Sequence, residues 1–178
     1  MTTVAYRWDA ESFLRAEAMG LFTGRVELVD GEIWQVVLGI WHGRTQPRVV
    51  VALQGQGEVL TATLPTDDSL PDPDVWVLRT GAEPVDHVSP RLPRWAAKDV
   101  LLVVEVSDET VEVDLTSKAA LYARAGYARY WVVTPEGVHE HTQPDDGHYR
   151  CVQLIAGDGV MTGPDGASID VRSLLPAG

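Results

Sequence analysis

VLLVVEVS at residues 100–107 and DLTSKAALYARAGYARYWVV at residues 114–133 read as a strand, a helix and a second strand. Val100–Val106 is a near-continuous apolar run with a single charge, the pattern of a strand buried on both faces. Asp114–Ala125 has helical spacing and stops at Gly126, and Tyr130–Val133 forms the next buried strand. Upstream, Val75–Leu78 is a short strand entered from the acidic, turn-rich segment 65–74, and Glu58–Leu64 is a further strand. Pro47 is expected in the first turn of a short helix carrying Val50, Val51 and Leu53. The connection 80–98 holds Pro84, Pro90 and Pro93 and is long enough to be functional or to hide a short helix. Near the N-terminus Asp9 caps a helix with Ala10, Phe13 and Leu14 on one stripe, stopping at Gly20. Asp30-Gly31 sits between two alternating runs and predicts a tight hairpin, with Glu27 and Val29 on one face and Val26 and Leu28 on the other. Downstream, Val138–His141 and His148–Ile155 are short strands around Pro144-Asp-Asp-Gly147. Strands and helices interleaved around buried central strands predict an α/β domain with a mixed sheet flanked by helices.

The chain has 178 residues, which fits one domain, 1–178, with a sizeable core. Its 26 acids against 14 bases leave a net charge of −12, so diffuse positive charge does not hold a polyanion here. A nucleic-acid partner needs a local patch or bound cations. Cys151 is the single cysteine, which excludes intrachain disulfides and Cys-ligated zinc. The longest apolar runs, Val49–Leu53 and Val100–Val104, are far shorter than the ~20 residues of a membrane helix. MTTVAYRWDAES lacks a basic start and an apolar run, so a cytoplasmic, membrane-free protein is expected.

Three charges break apolar patterns. Glu105 follows five apolar residues; it is either a strand end surfacing into solvent or a carboxylate that needs a partner or a cation. Lys118 shares a helix face with Leu115, Leu121, Tyr122 and Ala125, while Thr116, Ala120, Ala123 and Arg124 face away. An Asp114–Lys118 pair at i,i+4 or a snorkelling stem is the ordinary account. Yet the chain uses 12 arginines and only two lysines, Lys98 and Lys118, so an ordinary surface cation here would be Arg. Asp74 opens the Val75–Leu78 strand; beside prolines it reads first as a turn former. Jointly, two carboxylates at neighbouring strand ends suit Mg²⁺, which takes hard oxygen ligands, with Mn²⁺ as a substitute. A lysine opposite them can act on a water attacking a phosphodiester or neutralise developing charge. Glu27 is a candidate fourth group.

VELVDGEI (26–33), LPDPDVWV (70–77), VLLVVEVS (100–107) and the helix-containing stretch 114–133 together resemble the Uma-type restriction-endonuclease family of the PD-(D/E)XK nuclease superfamily. Four individually common motifs in the right order make the resemblance specific, and it spans about Asp9 to Val133. It implies a restriction-endonuclease-like fold and metal-dependent phosphodiester hydrolysis, with DNA as the expected partner. Asp74 and Glu105 would be the metal carboxylates, Glu27 the additional acid and Lys118 the catalytic lysine. The superfamily's lysine two positions after the Glu is replaced by Ser107, and in this family it is thought to have moved to the following helix. Arg129 and Thr134-Pro135 depart from the family's acidic residue and Asp-Pro, away from the expected metal site. The resemblance also includes a histidine near His42, which is then a candidate to line the cleft.

Arg91, Arg94, Trp95 and Lys98 are the one stretch with several bases and an aromatic, a candidate phosphate-backbone patch or a solvated loop. His139, His141 and His148 read as edge-strand histidines, because no fourth ligand is spaced to match. Gly55-x-Gly57 lacks the rest of a dinucleotide loop, no Gly-x-Ser-x-Gly elbow is present, and Cys151 has no activating neighbour. The expectation is a Mg²⁺-dependent endonuclease. A nuclease-fold module that binds nucleic acid or protein without cleaving it and a small-molecule metal hydrolase are the rivals, and a homodimer is left open.

Overall fold

The computed structural model describes residues 3–176. Its centre is a mixed sheet of six strands: β3 (Glu58–Leu60), β4 (Val75–Leu78), β7 (Val100–Val106), β8 (Arg129–Thr134), β9 (Gly137–Asp145) and β10 (His148–Ala156). They lie in the order β10-β9-β8-β7-β4-β3. Only β7 and β8 are parallel, joined by the helical crossover between them; every other neighbouring pair is antiparallel. The apolar run in β7 is explained by burial on both faces. Val103 packs with Trp76, Tyr122 and Tyr130 on one side, and Leu102, Val104 and Val106 pack with Val49, Leu53 and Trp131 on the other.

α1 (Ala10–Ala18) is capped by the Asp9 carboxylate, which accepts from Ser12 N–H at 2.7 Å. It packs Phe13 against Leu28 and Leu70. β1 (Val26–Val29) and β2 (Glu32–Gln35) form the expected hairpin, with φ of 49° at Asp30 and 77° at Gly31. Its outward edge is not free: Leu28 and Leu70 exchange backbone hydrogen bonds, tying β1 to the segment that leads into β4.

Four expectations need correction. The helix around Pro47 is α2 (Ile40–Leu53), which begins well before the proline. Its buried stripe is His42, Thr45, Val49 and Leu53, and two polar residues at core positions conceal it from an apolar count. Pro47 is tolerated mid-helix because it and Gly43, whose carbonyl it leaves unpaired, lie on the exposed side. β3 is only three residues long, since the chain turns into the acidic loop after Leu60. Segment 80–98 holds a hairpin, β5 (Asp86–Ser89) with β6 (Leu92–Arg94), before a single 3₁₀ turn at Ala97–Asp99. The last pair, β9 and β10, is nine residues per strand, longer than expected, around a turn in which Asp146 and Gly147 both have positive φ.

The crossover helix is also less regular than its sequence suggests. It runs from α3 (Val111–Val113) through a π-helical turn, Asp114–Lys118, into α4 (Ala119–Arg124). Ala119 N–H reaches back to the Asp114 carbonyl, which also accepts the Tyr130 hydroxyl at 3.0 Å. The wide turn brings Asp114, Lys118 and Tyr122 inward together and buries Ala123, which simple helical spacing places outside. β11 (Val160–Thr162), β12 (Ser168–Asp170) and α5 (Val171–Leu174) close the face lined by α2. No helix among the described residues is long and apolar enough to cross a membrane.

Candidate active site

The β4–β7 register sets Val75 opposite Val104, so Asp74, one residue before β4, meets β7 at Glu105. In an antiparallel pair, opposed residues share a face, and both residues line one cleft. Asp74 Oδ2 accepts from Val106 N–H at 2.7 Å, which fixes that carboxylate on the end of β7. Glu27 arrives from β1: its Oε2 accepts from Asp72 N–H at 3.0 Å, a consequence of the Leu28–Leu70 tie. The π-helical turn delivers Lys118, whose Nζ donates to Glu27 Oε2 at 2.6 Å and to Glu105 Oε1 at 3.1 Å.

All four groups are buried: Glu27 is 5% exposed, Asp74 7%, Glu105 5% and Lys118 4%. Glu105 is therefore no solvent-exposed strand end, and Lys118 is neither a snorkelling stem nor a surface partner for Asp114. Asp114 accepts instead from the Thr110 hydroxyl at 2.9 Å. Burial pushes the Glu105 carboxyl well above the usual carboxylate range; Lys118 opposes this, while Asp74, Asp114 and Glu27 add to it. Burial alone would lower the Lys118 amine, but Glu105 and Glu27 outweigh burial and hold it above its ordinary value. Asp114 is also raised, chiefly by burial. Lys118 is thus a fixed cation among carboxylates that repel one another.

Three neighbours complete the cluster. Tyr122 OH donates to Glu105 Oε1 at 2.7 Å. His42 Nε2 lies 2.6 Å from Asp74 Oδ1, and its Nδ1 is buried without a hydrogen-bond partner. Gln46, one helical turn on, donates to the Asp74 carbonyl at 2.8 Å. His42 was signalled only as a cleft-lining candidate, and its contact with Asp74 follows from the early start of α2. Tyr122 and Gln46 carried no signal: a tyrosine on an apolar stripe reads as core, and a glutamine on a helix reads as surface.

Glu27, His42, Asp74, Glu105 and Lys118 line a cleft of about 210 Å³. Its carboxylates are Glu27, Asp72, Asp74, Glu105, Asp108, Glu109 and Asp114, against the single lysine Lys118. Among the described residues, no three or more His, Cys, Asp or Glu side chains stand in ready-made metal-ligand geometry. The reason is visible in the bonding. Lys118 bridges Glu27 and Glu105, and Asp74 is engaged by His42 and Val106. The donor set still suits a hard divalent cation: three carboxylates from three elements converge, and the hydrogen bonds above fall on one oxygen each of Glu27 and Glu105.

The basic stretch is not part of this cleft. Arg94 is bound to Asp86 (2.5 Å) and Asp67 (2.9 Å). Arg91 lines a separate hollow between α1 and the β5–β6 hairpin. Trp95 packs against the core. Lys98 is exposed at the start of β7, roughly 20 Å along the strand from Glu105. The edge-strand reading of the histidines fails for His141. His141 is buried against Tyr130 and Tyr149 because β9 is an inner strand, covered by β10.

No curated protein matches the chain. Among solved structures, a chain from Anabaena variabilis ATCC 29413 described as "a putative nuclease belonging to DUF820" superposes with a TM-score of 0.64 at 13% identity. The match covers 94% of this chain and 97% of that one and shows the shared fold. The family model described as "Putative restriction endonuclease" matches residues 10–175, and with nearly the whole described chain inside that match, the protein belongs to the Uma2 family.

Proposed function

We propose that the protein is a divalent-metal-dependent nuclease that hydrolyses phosphodiester bonds, with DNA as its substrate. The observation that carries this reading is the convergence of Asp74, Glu105 and Glu27 on one buried lysine at the C-terminal end of β7. Buried carboxylates of this number are costly to hold together without a cation. Family membership and the nuclease-like fold support the same chemistry.

Asp74, Glu105 and Glu27 are the proposed ligands of Mg²⁺ or Mn²⁺. When bound, the ion supplies Lewis-acid polarisation of a phosphoryl oxygen and a more acidic water. Asp74 is held in place by His42 and Val106 N–H, and Glu105 by the Tyr122 hydroxyl, so their orientation does not depend on the substrate. Lys118, held protonated by its two carboxylates, acts as a fixed positive charge facing the charge that develops on the phosphoryl group.

The cleft is smaller than the roughly 300–1,000 Å³ of pockets that enclose a whole small molecule, which favours a polymer passing across it over a small-molecule substrate. The test is a crystal soaked in Mn²⁺. Anomalous density between Asp74 and Glu105 is the expected result, and density elsewhere or none at saturating Mn²⁺ contradicts the ligand set.

A further inference from the structure

We propose that the apolar lip of the acidic cleft receives the bases of an unpaired strand, so that the substrate class of the site is single-stranded polynucleotide in preference to intact duplex. This rests on the nuclease reading above and narrows it.

After β2 the chain runs through Val36, Val37, Leu38 and Gly39 without regular structure and enters α2 at Ile40. Val37 is 79% exposed, Leu38 51% and Ile40 85%, while Val113 across the cleft is 39% exposed. Val37, Leu38 and Val113 line the same cleft as the carboxylates, together with the half-buried Trp34. The lip runs close to the loop after β7, since a Cβ on Gly39 would sit 3.4 Å from Asp108 Oδ2. A run of exposed apolar residues costs solubility and marks a surface that something covers. Its continuity with the carboxylate cluster names the molecule bound at that cluster as the occupant.

Surface chemistry then selects the form of that molecule. A duplex is held mainly through phosphates, each neutralised by a lysine or arginine. Among the described residues no arginine lines this cleft, and its one lysine is engaged by Glu27 and Glu105. The cleft thus has little to offer a phosphate backbone, paired or unpaired, beyond a bound cation, and charge alone does not tell the two forms apart. What the lip does offer is apolar and aromatic surface, which suits the faces of unstacked bases whatever their sequence. Those faces are accessible only where the strand is unpaired.

The experiment measures fluorescence anisotropy in Ca²⁺ with a labelled mixed-sequence DNA strand, its RNA counterpart and the same DNA annealed to its complement. Cleavage of each is followed in Mg²⁺ and Mn²⁺. One or both single strands should bind at least about tenfold tighter than the duplex, and the two strands tell DNA from RNA. The double variant Val37→Asp/Leu38→Asp, at exposed positions, should weaken single-strand binding by about tenfold or more with an unchanged melting midpoint. Trp34→Leu, which keeps apolar packing and removes the stacking face, should act in the same direction. Duplex bound or cleaved as well as single strand, or a lip variant that binds like the parent, overturns the proposal and leaves the nuclease reading standing. A self-association of the parent that the lip variant abolishes assigns the lip to a second copy and also overturns it. Single-strand binding without cleavage supports the lip and removes the nuclease reading.

Discussion

At Lys118 the ammonium faces Glu27 at 2.6 Å and Glu105 at 3.1 Å, and Tyr122 donates to the same oxygen of Glu105. Removing the cation leaves two buried carboxylates without their charged partner, and breaking a buried pair in this way costs about 3–5 kcal/mol. Lys118→Met should therefore unfold at markedly lower denaturant in chelator and recover part of that loss in Mg²⁺, which substitutes for the missing charge. Its cleavage rate should fall roughly a hundredfold or more. Lys118→Arg should restore neither fully, because a planar guanidinium does not fit the space of a compact ammonium between two fixed carboxylates. Parent-like stability and cleavage in both variants would remove the lysine from the account. Glu105 and Lys118 were legible in the sequence because each interrupts an apolar pattern. Tyr122 was not, and of His42 only its place in the cleft was signalled, because their burial is ordinary for their type and only the fold decides what their polar atoms meet.

The hairpin of β1 and β2 places Glu27, and its turn depends on Gly31 at φ 77°, where an added Cβ would lie 2.8 Å from Arg7 Cβ. Gly31→Ala should cost about 1–2 kcal/mol from backbone conformation alone, with more from the clash, and should lower activity by displacing Glu27. Gly20→Ala is the control: Gly20 also has a positive φ, 69°, but nothing lies within 4 Å of its Cβ position. Chemical denaturation of the two variants checks the difference. A second element, β9, carries His141, whose pKa is lowered, chiefly by burial, with the nearby His139 charge acting in the same direction. The unfolded chain takes up that proton near pH 6.5 while the folded one resists it, so stability is present above this value and declines on acidification. His141→Phe should flatten the decline between about pH 6.5 and pH 5; an unchanged pH profile would contradict it. At this scale, the Asp30-Gly31 hairpin, β4, β7 and β8 were legible because their patterns are continuous. The start of α2 was hidden by His42 and Thr45 on its buried stripe, and the π-helical turn by the lack of any composition signal for a wide turn.

The whole molecule is a six-stranded sheet with α2 and α5 on one face, the crossover helix and the first hairpin on the other, and an acidic cleft at the end of β7. The α/β class and the assembly of Asp74, Glu105, Lys118 and Glu27 in one place were readable from four short stretches, because the misplaced charges are visible locally and the family resemblance joins them. The separation of the basic stretch from the cleft was not: Arg94 is taken up by Asp67 and Asp86, and Arg91 lines a different hollow. With a net charge of −12 and no arginine lining the cleft among the described residues, the protein should hold nucleic acid weakly outside the metal site. The most direct measurement is cleavage of labelled DNA by the parent and by Asp74→Ala, in Mg²⁺, in Mn²⁺ and in chelator. The account predicts cleavage by the parent that requires the divalent ion and is lost in Asp74→Ala. Cleavage that survives chelation or the Asp74→Ala change, or no divalent-dependent cleavage by the parent, would contradict it.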